Sequence, residues 1–166
     1  PLLVSGGMHA DAARTPGKIA LLCEGRTLTY GALADRARRV AGGCAALGIT
    51  PGDRIALLAP NCLEYPEIMC GGTDAGGVVA TLSPRLTARE IAAACDDCGA
   101  RVMFAHPSVA NTVSAARPAS VDRVIVLGEE YETWLATSPP AAPRPEIAET
   151  DPFTLVYSSG TTGKPK

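Results

Sequence analysis

Phe153-Thr154-Leu155-Val156-Tyr157-Ser158-Ser159-Gly160-Thr161-Thr162-Gly163-Lys164-Pro165-Lys166 joins a short apolar run to a loop of hydroxyls, glycines and lysines. It reads as a strand that opens into a phosphate loop. Ser158, Ser159, Thr161 and Thr162 carry hydroxyls that can donate to phosphate oxygens, and Gly160 and Gly163 let successive backbone N–H groups turn toward one anion. Lys164 and Lys166 add the positive charge that a polyphosphate requires. The spacing is not that of the G-x-x-x-x-G-K-[ST] loop, because two residues separate the glycines and Pro165 follows Lys164. Composition alone also fits a flexible polar tail, and it is the order of the residues that argues against one.

Upstream of this strand and loop (151–166), the stretch 138–150 contains Pro139, Pro140, Pro143 and Pro145 and reads as an extended linker. Residues 1–137 read as an α/β body. Arg54 to Ala59, Val78 to Leu82, Arg101 to Ala105 and Arg123 to Leu127 are apolar runs without alternation, the pattern of strands buried on both faces. Helical patterns separate them. Thr87-Ala88-Arg89-Glu90 is a capping box, followed by an apolar face of Ile91, Ala94, Cys95 and Cys98. Asn111 to Ala116 predicts a short helix, and Tyr131, Trp134 and Leu135 another, with Trp134 packing it against the body. Asn61 and Glu64 suggest a helix start, which Pro66 tolerates only within the first turn. This strand–helix alternation implies right-handed crossovers and a largely parallel sheet with helices on both faces.

Nearer the N-terminus, Ile19 to Cys23 and Thr27 to Thr29 flank Glu24-Gly25-Arg26 as a β-hairpin would. Thr29 caps the next helix, whose apolar positions run from Leu33 to Leu47 before Gly48 stops it. Arg36, Arg38 and Arg39 then fall mainly on its solvated side. His9 to Arg14 predicts a short helix ended before Pro16, with His9 in a surface or capping role.

The 166 residues are 46% hydrophobic but 4% aromatic, so the core is built from aliphatic side chains and alanine. Fifteen basic against seventeen acidic residues give a formal charge of −2 and no basic block outside the terminal loop, which argues against a nucleic-acid partner. No apolar run is long enough to span a membrane, and the first residues do not resemble an export signal. The six cysteines are scattered through apolar segments and read as reduced, buried thiols of a cytoplasmic protein. Cys95-Asp96-Asp97-Cys98 falls in the last turn of a helix. A redox pair would sit at a helix N-terminus and a zinc site would want a second ligand pair, so these cysteines read as core.

Ser158-Ser159-Gly160-Thr161-Thr162-Gly163-Lys164-Pro165-Lys166 resembles the AMP-binding signature of the adenylate-forming superfamily at every position. Thr29-Tyr30-Gly31-Ala32-Leu33, Pro51-Gly52-Asp53-Arg54-Ile55-Ala56, Asn61, Gly76-Gly77-Val78-Val79 and Leu82 to Glu90 extend the likeness to the N-terminal region of acyl-CoA synthetases, with Pro84 to Glu90 favouring the acyl-CoA ligase branch. The resemblance implies that Ser158, Ser159, Gly160, Thr161, Thr162, Gly163 and Lys166 hold the ATP phosphates. Lys164 occupies the variable position.

The reaction it implies has two steps. A small carboxylic acid attacks the α-phosphate of Mg·ATP to give an acyl adenylate, and a thiol, usually that of coenzyme A, then takes the acyl group. In the family the nucleoside contacts, the Mg²⁺-binding acid, most of the acyl pocket and the catalytic lysine lie downstream of the signature. The chain therefore resembles an incomplete N-terminal portion of the large domain, with no catalytic residue and no metal ligand of its own. Alone it is expected to be incompetent in catalysis. Its strand edge is expected to be mobile, or paired with another copy in a homodimer. The rival reading is a non-catalytic interaction module that keeps the fold.

Overall fold

The computed structural model describes residues 3–144 and 146–157. Helix α1 (Gly6–Arg14) gives way at Thr15 to a hairpin of β1 (Ile19–Cys23) and β2 (Arg26–Thr29). The hairpin is tight because Glu24 and Gly25 both take positive φ, 49° and 76°, the twist a two-residue connection requires. The Thr29 hydroxyl accepts from Ala32 N at 3.3 Å and so caps α2 (Tyr30–Ala46).

From there strand and helix alternate: β3 (Arg54–Leu58), α3 (Glu64–Asp74), β4 (Val78–Leu82), α4 (Ala88–Cys98), β5 (Ala100–Ala105), α5 (Ala110–Ala116), β6 (Arg123–Val126), α6 (Glu129–Thr137) and β7 (Thr154–Val156). The capping box forms: Glu90 N donates to Thr87 Oγ1, and Thr87 N donates to Glu90 Oε2 at 2.8 Å. Gly99, at φ 66°, ends α4 in the left-handed conformation. Helix α3 starts at Glu64, with Pro66 in its first turn as required, but Leu63 holds the cap position and no side chain bonds there, so Asn61 is not the cap.

β3 to β7 form one five-stranded sheet in the order β6-β5-β3-β4-β7, and every pairing is parallel. Successive residues of β3 face opposite ways. Ile55 and Leu57 pack with Val40, Ile68, Tyr131 and Leu135 beneath α2, α3 and α6, whereas Ala56 and Leu58 pack with Ile91, Ala94, Cys95 and Val113 beneath α4 and α5. The fold is thus an α/β sheet covered on both faces, as the apolar runs imply. Trp134 meets Phe104 edge-on and Tyr131 at a tilt, and so packs α6 against the body.

Two expectations fail. Arg36 is not on a solvated face: its guanidinium donates to Glu67, which is fully buried, at 2.5 and 2.9 Å, and to Glu132 at 2.6 and 3.0 Å. Arg39 also turns inward, donating to the carbonyl of Ser138 at 3.2 Å. The partners that bury these cations belong to α3, α6 and the chain after α6, so helical spacing could not reveal them. Nor are all six thiols buried. Cys44, Cys95 and Cys98 are, but Cys23, Cys62 and Cys70 are half-exposed, because they sit in the hairpin, a strand–helix loop and a helix flank.

After α6 the chain runs along the α2 and α3 surface. Ala141 N donates to the Arg38 carbonyl at 2.9 Å, Arg144 N donates to the Asp74 carbonyl at 3.0 Å, and a methyl on Gly42 would overlap the carbonyl of Pro139. This close passage carries the chain from α6 back to the far side of the sheet, where β7 pairs with β4.

Candidate functional site

Because the five strands are parallel, all their carboxyl ends reach one edge of the sheet. There β3 runs into Ala59-Pro60-Asn61, β4 into Ser83-Pro84, β5 into His106, β6 into Leu127-Gly128 and β7 into Tyr157. Open parallel sheets bind ligands outside this edge, where no strand continues and loops are free to specialise. The helices after β3 and β4 cover opposite faces, so the loops leaving these neighbouring strands diverge. β7 ends beside β4, and the Ser/Thr/Gly/Lys loop follows it in sequence.

Among the described residues, little apart from β4 and Tyr157 holds β7. Its register is Val79↔Thr154, Ala80↔Leu155 and Thr81↔Val156, and the Thr154 hydroxyl donates to the Val79 carbonyl at 2.9 Å. Val156 is 70% exposed, so burial contributes little to this strand. Tyr157 packs its ring against the α4 and α5 cluster and donates its hydroxyl to Asp97 Oδ2 at 2.8 Å, with the Ala94 carbonyl at 3.2 Å. Burial and the Asp97 contact push the Tyr157 phenol above its ordinary range, so it is a donor at any physiological pH.

Among the described residues, cavities lie at both edges of the sheet. One of about 190 Å³ opens at the carboxyl edge between the hairpin and the β3, β5 and β6 loops, and Cys23, Arg26, Cys62, Glu64 and His106 line it. Burial, then the neighbouring Glu64 carboxylate, raise the Cys62 thiol to about 11, which leaves it protonated and unreactive at neutral pH. The larger cavity, about 270 Å³, lies at the opposite edge, where Gly52, Asp74, Gly77 and Phe153 precede or approach the amino ends of β3, β4 and β7. Size does not single out either, since an open hollow of about 530 Å³ beside α6, lined by Arg123, Glu130 and Trp134, exceeds both. Topology favours the first, since it opens at the carboxyl edge, where β7 also ends.

The model of the AMP-binding enzyme family matches residues 8–166, nearly the whole chain. The chain belongs to the AMP-binding enzyme family. It is 36% identical over 166 residues to the fatty acid–[acyl-carrier-protein] ligase ScoC of Streptomyces coeruleorubidus, covering 99% of this chain and 32% of that protein. It is 33% identical over 143 residues to the long-chain-fatty-acid–CoA ligase FadD13 of Mycobacterium tuberculosis, covering 84% of this chain and 28% of that protein. The inhibitor-bound N-terminal domain of FACL13 from Mycobacterium tuberculosis superposes with a TM-score of 0.88 at 30% identity, covering 96% of this chain and 42% of that one. The chain spans about a third of the length of the curated relatives it matches.

In this AMP-binding family chain, the residues assigned to the ATP phosphates from sequence, Ser158, Ser159, Gly160, Thr161, Thr162, Gly163 and Lys166, lie outside the described residues. No group of three or more His, Cys, Asp or Glu among the described residues could hold a metal ion, and no helix among them is long and apolar enough to cross a membrane.

Two groupings escaped the sequence reading. Asp97, noticed only as a spacer in the cysteine pair, is the acceptor for Tyr157. His9, expected in a surface or capping role, instead pairs inward: its Nε2 lies 2.7 Å from Oδ2 of the buried Asp74, whose other oxygen accepts from Ser5 Oγ. Each pairing spans sixty or more residues of chain. The faint signal for Asp97 was its position, a carboxylate in the last turn of a helix where the helix dipole disfavours it.

Proposed function

We propose that the intact protein is an ATP-dependent, AMP-forming ligase that joins a small carboxylic acid to a thiol. The acid's carboxylate oxygen attacks the α-phosphorus of ATP, the bond to the bridging oxygen breaks and pyrophosphate leaves. The thiol sulfur then attacks the acyl carbon, AMP departs and a thioester remains. The observation that carries this reading is the exit of β7 at the carboxyl edge, directly before the hydroxyl- and lysine-rich loop, in a chain 36% identical to a fatty acid ligase.

Ser158, Ser159, Thr161 and Thr162 are proposed to donate to the phosphate oxygens, the backbone at Gly160 and Gly163 to approach them, and Lys166 to offset their charge. Such a loop works by positioning and charge neutralisation and needs no nucleophilic side chain. Mg²⁺ would enter with the nucleotide. The described residues offer it no cluster. Coenzyme A is the proposed acceptor, with an acyl-carrier-protein thiol as the competing acceptor suggested by the similarity to ScoC.

The test is carboxylate-dependent exchange of labelled pyrophosphate into ATP by the intact protein, across fatty and aromatic acids, followed by thioester formation with coenzyme A or a carrier protein. Acid-dependent exchange that falls at least tenfold in Lys166→Ala is expected. No exchange with any acid, or exchange indifferent to Lys166, would overturn the reading. The 166-residue polypeptide by itself is proposed to be inactive in the same assay, since the phosphate loop is one part of the machinery that the resemblance implies.

A further inference from the structure

The short strand β7 poses a mechanical problem. A loop that aligns a polyphosphate needs a fixed point of departure, yet the ladder to β4 ends at Thr81↔Val156, and Val156 is largely exposed. Tyr157 is the next residue, and it is tied to α4 rather than to the sheet. Asp96 and Asp97 occupy the last turn of α4, where carboxylates oppose the helix dipole, so local stability does not favour them there. Each has a long-range partner instead: Asp96 accepts from Ser120 N at 2.9 Å, and Asp97 accepts from the Tyr157 hydroxyl at 2.8 Å. The α4 end that bears Asp97 is itself firm. The Cys98 carbonyl accepts from the Arg54 guanidinium, and Cys95 and Cys98 are buried against the sheet.

We propose that Tyr157 and Asp97 form a positioning pair for nucleotide binding: the phenol, held by Asp97 and the Ala94 carbonyl, fixes the exit of β7 against α4 and so sets the origin of the phosphate loop. Neither residue touches the reacting atoms. The inference rests on the ligase reading above and adds to it the residue that anchors the loop. Because in that reading the loop holds the phosphates in both ground and transition states, slackening the anchor weakens ATP binding more than it slows chemistry. The phenol stays protonated at working pH, so the anchor does not titrate there.

The experiment uses the intact protein with Tyr157→Phe, Asp97→Ala, Asp97→Asn and the double variant Tyr157→Phe/Asp97→Ala. Two readouts are taken: the KM for ATP and kcat in acid-dependent pyrophosphate exchange, and amide hydrogen exchange of 154–157 without ligand, with Arg54–Leu58 as the fold control. Losing one hydrogen bond of ordinary strength is expected to raise the KM for ATP about fivefold in Tyr157→Phe, with kcat within about twofold.

Asp97→Ala should do the same, the double variant should be no worse than either, and Asp97→Asn, which keeps an acceptor oxygen, should stay near wild type. Exchange at 154–157 should quicken while the control strand is unchanged. An active wild type whose Tyr157→Phe and Asp97→Ala variants keep its KM, or whose two effects multiply, would overturn the pair and leave the ligase reading intact. A wild type inactive with every acid would defeat the ligase reading, and the pair's role in nucleotide binding with it.

Discussion

The two faces of the sheet are held in different ways. Beneath α2, α3 and α6 the core carries the three large aromatics Phe104, Tyr131 and Trp134 and a buried charged network, in which Glu67 accepts from Arg36 and, at 2.6 Å, from the Tyr131 hydroxyl. Beneath α4 and α5 the buried cluster is aliphatic and sulfur-bearing. The network joins residues 31, 64 and 96 positions apart, whereas α4 is set locally by its capping box and Gly99 cap. The charge pairing of one face thus exists only after folding, whereas α4 on the other carries local caps in addition to its long-range bonds from Ser120, Tyr157 and Arg54. The face with the locally capped helix carries the Tyr157 anchor. The network face fixes how three helices sit on the sheet.

Removing the centre of the network should produce the largest effect. Glu67→Ala leaves the Arg36 guanidinium without its buried partner and the Tyr131 hydroxyl without its acceptor, a loss of about 3–5 kcal/mol in urea unfolding. Glu67→Gln, which keeps an acceptor, should cost less. If Glu67→Ala cost under about 1 kcal/mol, the claim that this face depends on its network would fail. On the other face, Ile91→Ala empties a fully buried site at the centre of α4 and should cost about 2–4 kcal/mol by cavity formation alone.

Gly71→Ala probes the close approach of α2 and α3, since a methyl there would sit 2.5 Å from the Val40 Cβ. A loss of about 1–3 kcal/mol is expected, readable as a lower midpoint at unchanged m-value. Thr87→Ala removes the Thr87 half of the capping box from α4 and should cost about 1 kcal/mol, confined to early amide exchange in that helix.

The smallest effect is a pH dependence. Hydrogen bonds and charge from Arg36 hold the Glu132 carboxyl below its usual range, against the effect of partial burial. A carboxyl whose folded pKa lies below its unfolded value contributes stability above the unfolded value, and that contribution is lost as pH falls through the folded one. Glu132→Gln should therefore flatten the fall in stability below about pH 4.5, by under about 1 kcal/mol, because Glu132 is half-exposed. Glu67 shifts the opposite way: burial raises its carboxyl against the Arg36 and Tyr131 hydrogen bonds. The comparison of wild type with Glu132→Gln is informative because it leaves Glu67 common to both. An unchanged acid limb would show that Arg36 is satisfied by Glu67 alone.

What was legible followed the range of the interaction. Val78 to Leu82 was readable to the residue because an unalternating apolar run between glycines and a turn has few other uses in an α/β chain. The buried face Ile91, Ala94, Cys95 and Cys98 was readable from helical spacing, and with it the reading of the two cysteines as core. Arg36 misled because its neighbours Asp35, Arg38 and Arg39 are polar, and local pattern assigns such a group to solvent. The Tyr157 and Asp97 contact was invisible because a strand after β6 can in principle join either edge of the sheet. The chain had to cross the whole sheet before the two residues met.

The sequence by itself determined the repeating strand and helix units, the Thr29 and Thr87 caps, the two-faced burial of the strands and the hydroxyl- and lysine-rich loop of the AMP-binding family. These depend on periodicity and residue chemistry within a few positions. Only the tertiary structure decided the strand order β6-β5-β3-β4-β7, the burial of Arg36 between Glu67 and Glu132, and the placement of Tyr157 on Asp97. Each depends on which distant segments meet, and that is settled by the packing of whole helices and strands rather than by the preference of any one of them.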